Sequence, residues 1–212
     1  MIALLLEALA AYLLGSVSGS LVMGAFRHVD IRDSGSGNAG GTNAFRTQGL
    51  RFALGVVVID IGKGALAAGL LPWLGASLAG PGAAPSYAPL VCGFMAVVGH
   101  CYPVWHGFRG GKGAATAVGA VLMIQPIVLI PMILSWLLVL ISTGWVGLAT
   151  IVSALTLIPA FAWRSGAGSE LAFAVLLALF IVLMHRANIR KLLAGTENRF
   201  ERIRIVNWFR RD

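Results

Sequence analysis

The chain has 212 residues, 58% hydrophobic and 11% charged, with a mean hydropathy of +0.86. Soluble domains carry about 25% charged residues, so a soluble fold is excluded, and one integral-membrane domain over residues 1–212 is expected. The net charge of +8 comes without a soluble basic domain, which points away from nucleic acid and toward anionic lipid surfaces and anionic ligands. The two cysteines, Cys92 and Cys101, are too few for a disulfide frame or a zinc site and read as small buried apolar residues.

The first apolar stretch is 2–26. It has no basic leading region, and Glu7 stands where positive charge would be expected, so it reads as a mature helix and not a signal peptide. Glu7 itself is expected to snorkel to the outer end. Further spans are expected at 52–74, 87–104, 145–163 and 171–185. The segments 75–85 and 164–169 read as external loops. The stretch 114–141 would be about 42 Å long as one helix, against a hydrocarbon core of roughly 30 Å. Gln125-Pro126 interrupts it, and the residue before a proline is pushed out of helical geometry. Fourteen of the sixteen basic residues lie in the first loop, the third loop and the tail. The positive-inside rule puts all three on the cytoplasmic side, which requires an even number of crossings after the third loop. The stretch 114–141 is therefore two short spans. The expected fold is all-α and polytopic, with seven transmembrane helices, two of them short, the N-terminus outside and the C-terminus cytoplasmic.

Three polar clusters then share one side. The first holds "GSGNAGGTNAFR", residues 35–46. Its glycines let backbone wrap an anion, and Ser36, Asn38, Thr42, Asn43 and Arg46 add directional donors. Gly37, Asn38, Thr42 and Asn43 are the binding candidates. Gly35, Gly37 and Gly40 spell G-x-G-x-x-G, but an apolar helix precedes them and no strand–turn–helix unit is visible, so a dinucleotide fold is rejected. The second is "GHCYPVWHGFRGGKGAAT", residues 99–116, where Gly110, Gly111 and Gly113 surround Lys112 at a helix start. Free N–H groups, the helix dipole and the lysine charge suit an anion. It is not a Walker loop, since His106 replaces the leading glycine and Gly113 follows the lysine. The third is "HRANIRKLLAGTEN", residues 185–198, where His185 and Asn188 at i, i+3 share a helix face. Inside the second span, Asp60 and Lys63 are also three apart and read as a structural ion pair.

Together the three motifs, with "DIGKG" at 60–64, resemble the bacterial acyl-phosphate:glycerol-3-phosphate acyltransferases, small polytopic enzymes of phospholipid synthesis. The resemblance covers nearly the whole chain and implies seven helices, in agreement with the parity of crossings. It implies transfer of a fatty acyl group from acyl phosphate to the 1-hydroxyl of sn-glycerol 3-phosphate at the cytoplasmic face of the bacterial inner membrane. Ser36, Arg46, Lys112, His185 and Asn188 would bind the phosphates and stabilise the transition state. Gly110, Gly111 and Gly113 would shape the glycerol phosphate site, and Glu197 would hold the third motif in place. The partners are acyl phosphate, glycerol 3-phosphate and membrane lipids. No cofactor is expected, and no metal, because no metal-binding motif is present. An acyltransferase class that uses His-x4-Asp matches "HVDIRD" at 28–33, but the rest of that class's globular domain is missing. A transporter of phosphorylated solutes would be expected to show inverted repeats, and none is visible.

Overall fold

The computed structural model describes residues 2–79 and 85–200, which form helices and loops with no strand among them. The chain divides into two compact units, residues 1–126 and 127–212.

The first unit begins with a broken helix. The expected span 2–26 is two helices, α1 (Ile2–Gly15) and α2 (Gly19–Ala25), bent by 47°. The break falls in "GSVSG", where glycine and serine weaken the helix, and its loose backbone groups find partners on α4 (Leu50–Ala65). Lys63 Nζ donates to the carbonyls of Gly15 (2.8 Å) and Val17 (2.6 Å). Asp60 Oδ1 accepts from the Gly19 N–H at 3.1 Å and lies 3.1 Å from Lys63 Nζ. The ion pair thus splices both ends of the break, which meets the rule that backbone inside a membrane must be satisfied by protein. His100 completes the cluster, with Nδ1 2.9 Å from Lys63 Nζ.

After the first loop, the short α3 (Gly41–Gln48) leads into α4. The second span is longer than expected: α4 continues through a π-helical segment, Leu66–Leu70, into α5 (Leu71–Ala79). Residues 75–79, expected in an external loop, are helical, and 80–84 lie outside the described residues. Next come α6 (Ala88–Cys101) and α7 (Ala114–Ile124). α1 packs on α6, and α4 on α7. These contacts use small residues, as helix pairs do where lipid removes the hydrophobic drive between them. Ala11, Ala67, Cys92 and Ala96 form one buried cluster. At the α4–α7 crossing a Cβ on Gly119 would meet the Ile61 carbonyl and come within 2.8 Å of the Ala65 nitrogen, so only glycine permits this approach.

Glu7 does not snorkel. It is 8% exposed, beneath α5 and α6, and neither carboxylate oxygen has a hydrogen-bond partner among the described residues. The missing side chain at Gly75 makes room for it, since a Cβ there would collide with Glu7 Oε1. Cys92 and Cys101 are buried free thiols.

The stretch 114–141 breaks where the proline predicts. Gln125, with φ −154° and ψ 81°, ends α7, and Pro126 opens a short turn before α8.

The second unit holds α8 (Leu129–Thr143), α9 (Val146–Ser165), α10 (Ser169–Met184) and α11 (Arg186–Leu193). α9 packs on α8 and α10. The Ser153 hydroxyl donates to the Met132 carbonyl at 2.8 Å, and Phe161 meets Phe173 edge-on at 6.1 Å. Leu134, Leu137 and Leu138 on α8 stay exposed, as lipid-facing residues do. Among the described residues four helical segments are long and apolar enough to cross a membrane, and six are if each bent pair counts as one span. The 11-residue α7 is apolar but shorter.

Candidate active site

In the first unit two glycine-rich loops each run into a helix N-terminus. The first opens with a 3-10 turn, Ile31–Asp33. Asn43 gives the rest its shape. Its side-chain amide donates to the carbonyls of Ile31 (2.9 Å) and Ser34 (3.1 Å), and its oxygen accepts from the Ser36 N–H (2.9 Å). Asn43 is 1% exposed. An amide with both donors and its acceptor engaged within the loop acts as a latch. Ser36 and Arg46 are exposed, Asn38 and Thr42 half-buried, and Gly37 lies exposed at the turn. Gly40 caps α3 without a side-chain hydrogen bond.

The second loop leaves α6 through Pro103 and a 3-10 turn, Val104–His106, then turns through Gly107 (φ 64°) and Phe108 (φ 59°). A non-glycine residue at positive φ is strained and needs its surroundings to hold it. The Gly111 N–H donates to the His100 carbonyl at 3.1 Å. Gly113 caps α7 at φ 86°, a conformation that L side chains disfavour, and no side-chain cap is made there. Lys112 sits half-buried between the buried Gly111 and Gly113. Gly111 packs on the His100 ring, which links this loop to the Asp60–Lys63 pair.

Arg32 joins the two loops. Asp30 grips it through Nε, 3.0 Å from each carboxylate oxygen, and through Nη2 at 2.6 Å. Its Nη1 donates to the carbonyls of His106 (3.3 Å) and Arg109 (3.0 Å). The Arg32 hydrogen bonds hold the Asp30 carboxyl below the ordinary carboxylate range, and those of Asp30 raise Arg32. The sequence motifs give Arg32 no role beyond its contribution to the cytoplasmic charge and give His100 none. The i, i+2 pair in "DIRD" was the available signal.

In the second unit His185 ends α10 at a 56° bend and is the N-cap of α11, three residues before Asn188 on that helix. His185 Nδ1 lies 2.8 Å from the Ile181 carbonyl. A carbonyl only accepts, so Nδ1 carries a proton and donates it there, which fixes the orientation of the ring. Asn188 Nδ2 donates to Glu197 Oε1 at 2.7 Å. The segment after α11 also places the Arg199 guanidinium over the Trp145 ring, 4.1 Å from its centroid, and bonds the Phe200 N–H to the Gly144 carbonyl.

Apolar helices of membrane-spanning length define an integral membrane protein, multi-pass, whose two glycine-rich loops at helix starts are of a kind that suits anions. A family model for glycerol-3-phosphate acyltransferase matches residues 5–195. The chain is 44% identical over 193 residues to a glycerol-3-phosphate acyltransferase of Rhodospirillum rubrum, covering 91% of this chain and 88% of that one. It is 39% identical over 192 residues to that of Symbiobacterium thermophilum, covering 91% and 92%. Crystal structures of PlsY, an integral membrane glycerol 3-phosphate acyltransferase, match in its glycerol 3-phosphate form (TM-score 0.83, 34% identity) and its lysophosphatidic acid form (TM-score 0.82, 33% identity). Each match covers 93% of this chain and 95% of the other. The chain belongs to the glycerol-3-phosphate acyltransferase family.

Proposed function

We propose that this chain is an acyl-phosphate-dependent glycerol-3-phosphate 1-O-acyltransferase that works as one domain. The observation that carries this reading is the pair of glycine-rich loops in the first unit. One bears Ser36 and leads into the N-terminus of α3, which carries Arg46 in its last turn; the other bears Lys112 and leads into the N-terminus of α7, and one guanidinium ties the loops together. Both substrates carry phosphate, so the site must neutralise several negative charges with oriented N–H groups and fixed cations. Arg46 binds phosphate with its planar fork, and Lys112 supplies a point charge that follows the oxygens as the transition state forms. Ser36, Gly37, Asn38 and Thr42 bind the polar head, Gly110, Gly111 and Gly113 let backbone approach it, and Asn43 fixes the loop. His185 and Asn188 serve the same reaction, with Asn188 oriented by Glu197. Asp60 and Lys63 support the second loop through His100.

The 1-hydroxyl oxygen of glycerol 3-phosphate attacks the acyl carbonyl carbon. A new ester C–O bond forms, the bond from that carbon to the phosphate oxygen breaks, and the electron pair leaves with inorganic phosphate. The hydroxyl proton passes to an acceptor, either the His185 side chain or a phosphate oxygen of a substrate. Acyl phosphate is already activated, so orientation and charge stabilisation supply the catalysis.

Counting α7 as a crossing alongside the six longer spans gives seven, with the N-terminus outside and the loops and tail at the cytoplasmic face of a bacterial inner membrane. The charge distribution supports this placement. The test is purified protein in detergent supplied with acyl phosphate and glycerol 3-phosphate. Lysophosphatidic acid and phosphate should appear in equal amounts. Binding of glycerol 3-phosphate without product would point to a transporter, which needs two compartments to act.

A further inference from the structure

We propose that Arg32 is a positioning residue for the acyl transfer, holding the Lys112 loop in register with the Ser36 loop; this rests on the function proposed above. Four observations carry it. Asp30 takes the Nε and Nη2 edges of the guanidinium, so the side chain is fixed before it reaches the second loop. Nη1 then holds the carbonyls of His106 and Arg109, which flank Gly107 and Phe108 on either side. Those two residues are at positive φ, and Phe108 is not a glycine, so the turn persists because its surroundings hold it. The turn leads directly into Gly110–Gly113. On the other loop, Asn43 accepts from the Ser36 N–H and donates to the carbonyl of Ile31, next to Arg32. One short chain of contacts therefore runs from the Ser36 backbone through Arg32 to the start of the lysine loop. A lysine could not replace Arg32, because a single ammonium cannot grip Asp30 along one edge and reach two carbonyls with another.

The experiment compares wild type, Arg32→Ala, Arg32→Lys and Asp30→Asn by native-state hydrogen exchange and by kcat and KM. Each arginine variant is also combined with Lys112→Ala. The Phe108, Arg109 and Gly111 amides should exchange faster in both arginine variants, while those of α9 stay unchanged. Arg32→Ala should lose roughly tenfold or more in kcat/KM, and Arg32→Lys should not restore it. In the Lys112→Ala background the further loss should be under about threefold, because residues that act through one another are not additive. Unchanged exchange at 106–113, full additivity with Lys112→Ala, or wild-type turnover in Arg32→Lys would each overturn the proposal. If Arg32→Ala does not fold, Arg32→Lys decides. Wild-type protein that forms no product removes the acyltransferase reading instead, and the exchange comparison still decides whether Arg32 holds the loop.

Discussion

Replacing Lys63 by methionine tests the splice in the first span. The side chain is 3% exposed and has four partners: Asp60, His100 and the carbonyls of Gly15 and Val17. Methionine keeps the length but removes every donor. Asp60, 1% exposed, is left with the Gly19 N–H and His100 and no cation on its own helix. Removing one partner of a buried pair costs about 3–5 kcal/mol. For a chain of this size each kcal/mol moves Tm by about 2–4 °C, so the expected fall is about 6–20 °C. Adding Asp60→Asn removes the stranded charge and should recover more than half of it, since most of the penalty is the uncompensated carboxylate. The assay is tryptophan fluorescence during heating in detergent, with size-exclusion profiles before and after. A Lys63→Met protein that melts within 2 °C of wild type, or a double variant that melts below it, would refute the reasoning.

Arg46→Ala and Lys112→Ala should each lower kcat/KM by roughly a hundredfold, about 2.7 kcal/mol of transition-state stabilisation, without aggregation; near wild-type turnover in folded Lys112→Ala would reduce the lysine to a topology signal. Single cysteines at Gln48, Arg109 and Asn198 in a Cys92→Ala/Cys101→Ala background should be labelled only from the cytoplasm, and external labelling of position 198 alone would mean an odd number of crossings after the third loop. That cysteine-free enzyme should stay active, and acyl phosphate without acceptor should leave no acyl group on the protein; a stable acyl adduct on Ser36 would establish a two-step route. Asp30 is held below the ordinary carboxylate range, so its contribution is complete above about pH 4 and is lost only as pH falls through its lower folded value. The kcat/KM ratio of wild type to Asp30→Asn should therefore stay flat from pH 5 to 9, and a ratio that closes between pH 5 and 7 would contradict the clamp.

The apolar spans were legible because composition and length alone mark them. The division at Gln125-Pro126 was legible because proline constrains its predecessor locally. The break in the first span was not. "GSVSG" is tolerable inside a membrane helix, and what satisfies its opened backbone lies more than forty residues away, in Lys63 and Asp60 on α4. The sequence placed that pair three apart on one helix and correctly read an ion pair. It could not say which backbone groups the pair serves. Glu7 failed for a related reason. Snorkelling is the rule for a charge near a helix end, but room for the carboxylate came from the missing side chain at Gly75, a contact across helices.

Within the first motif, chemistry and position part company. Ser36, Asn38, Thr42 and Asn43 all read alike as short polar side chains in a glycine-rich loop. The fold turns Asn43 inward because the loop's own carbonyls at Ile31 and Ser34, and the N–H of Ser36, need partners once Ile31 and Ala44 are buried. Ser36 is left outward by the same bond that fixes its backbone. A loop that is to bind an anion must first satisfy itself, and the residue type that satisfies it is the type that also binds ligands. Arg32 follows the same logic among the cations. The carboxylate two residues before Arg32 commits it to structure. Local pairing of this kind marks a cation that shapes a site, because its donors are already committed to protein oxygens.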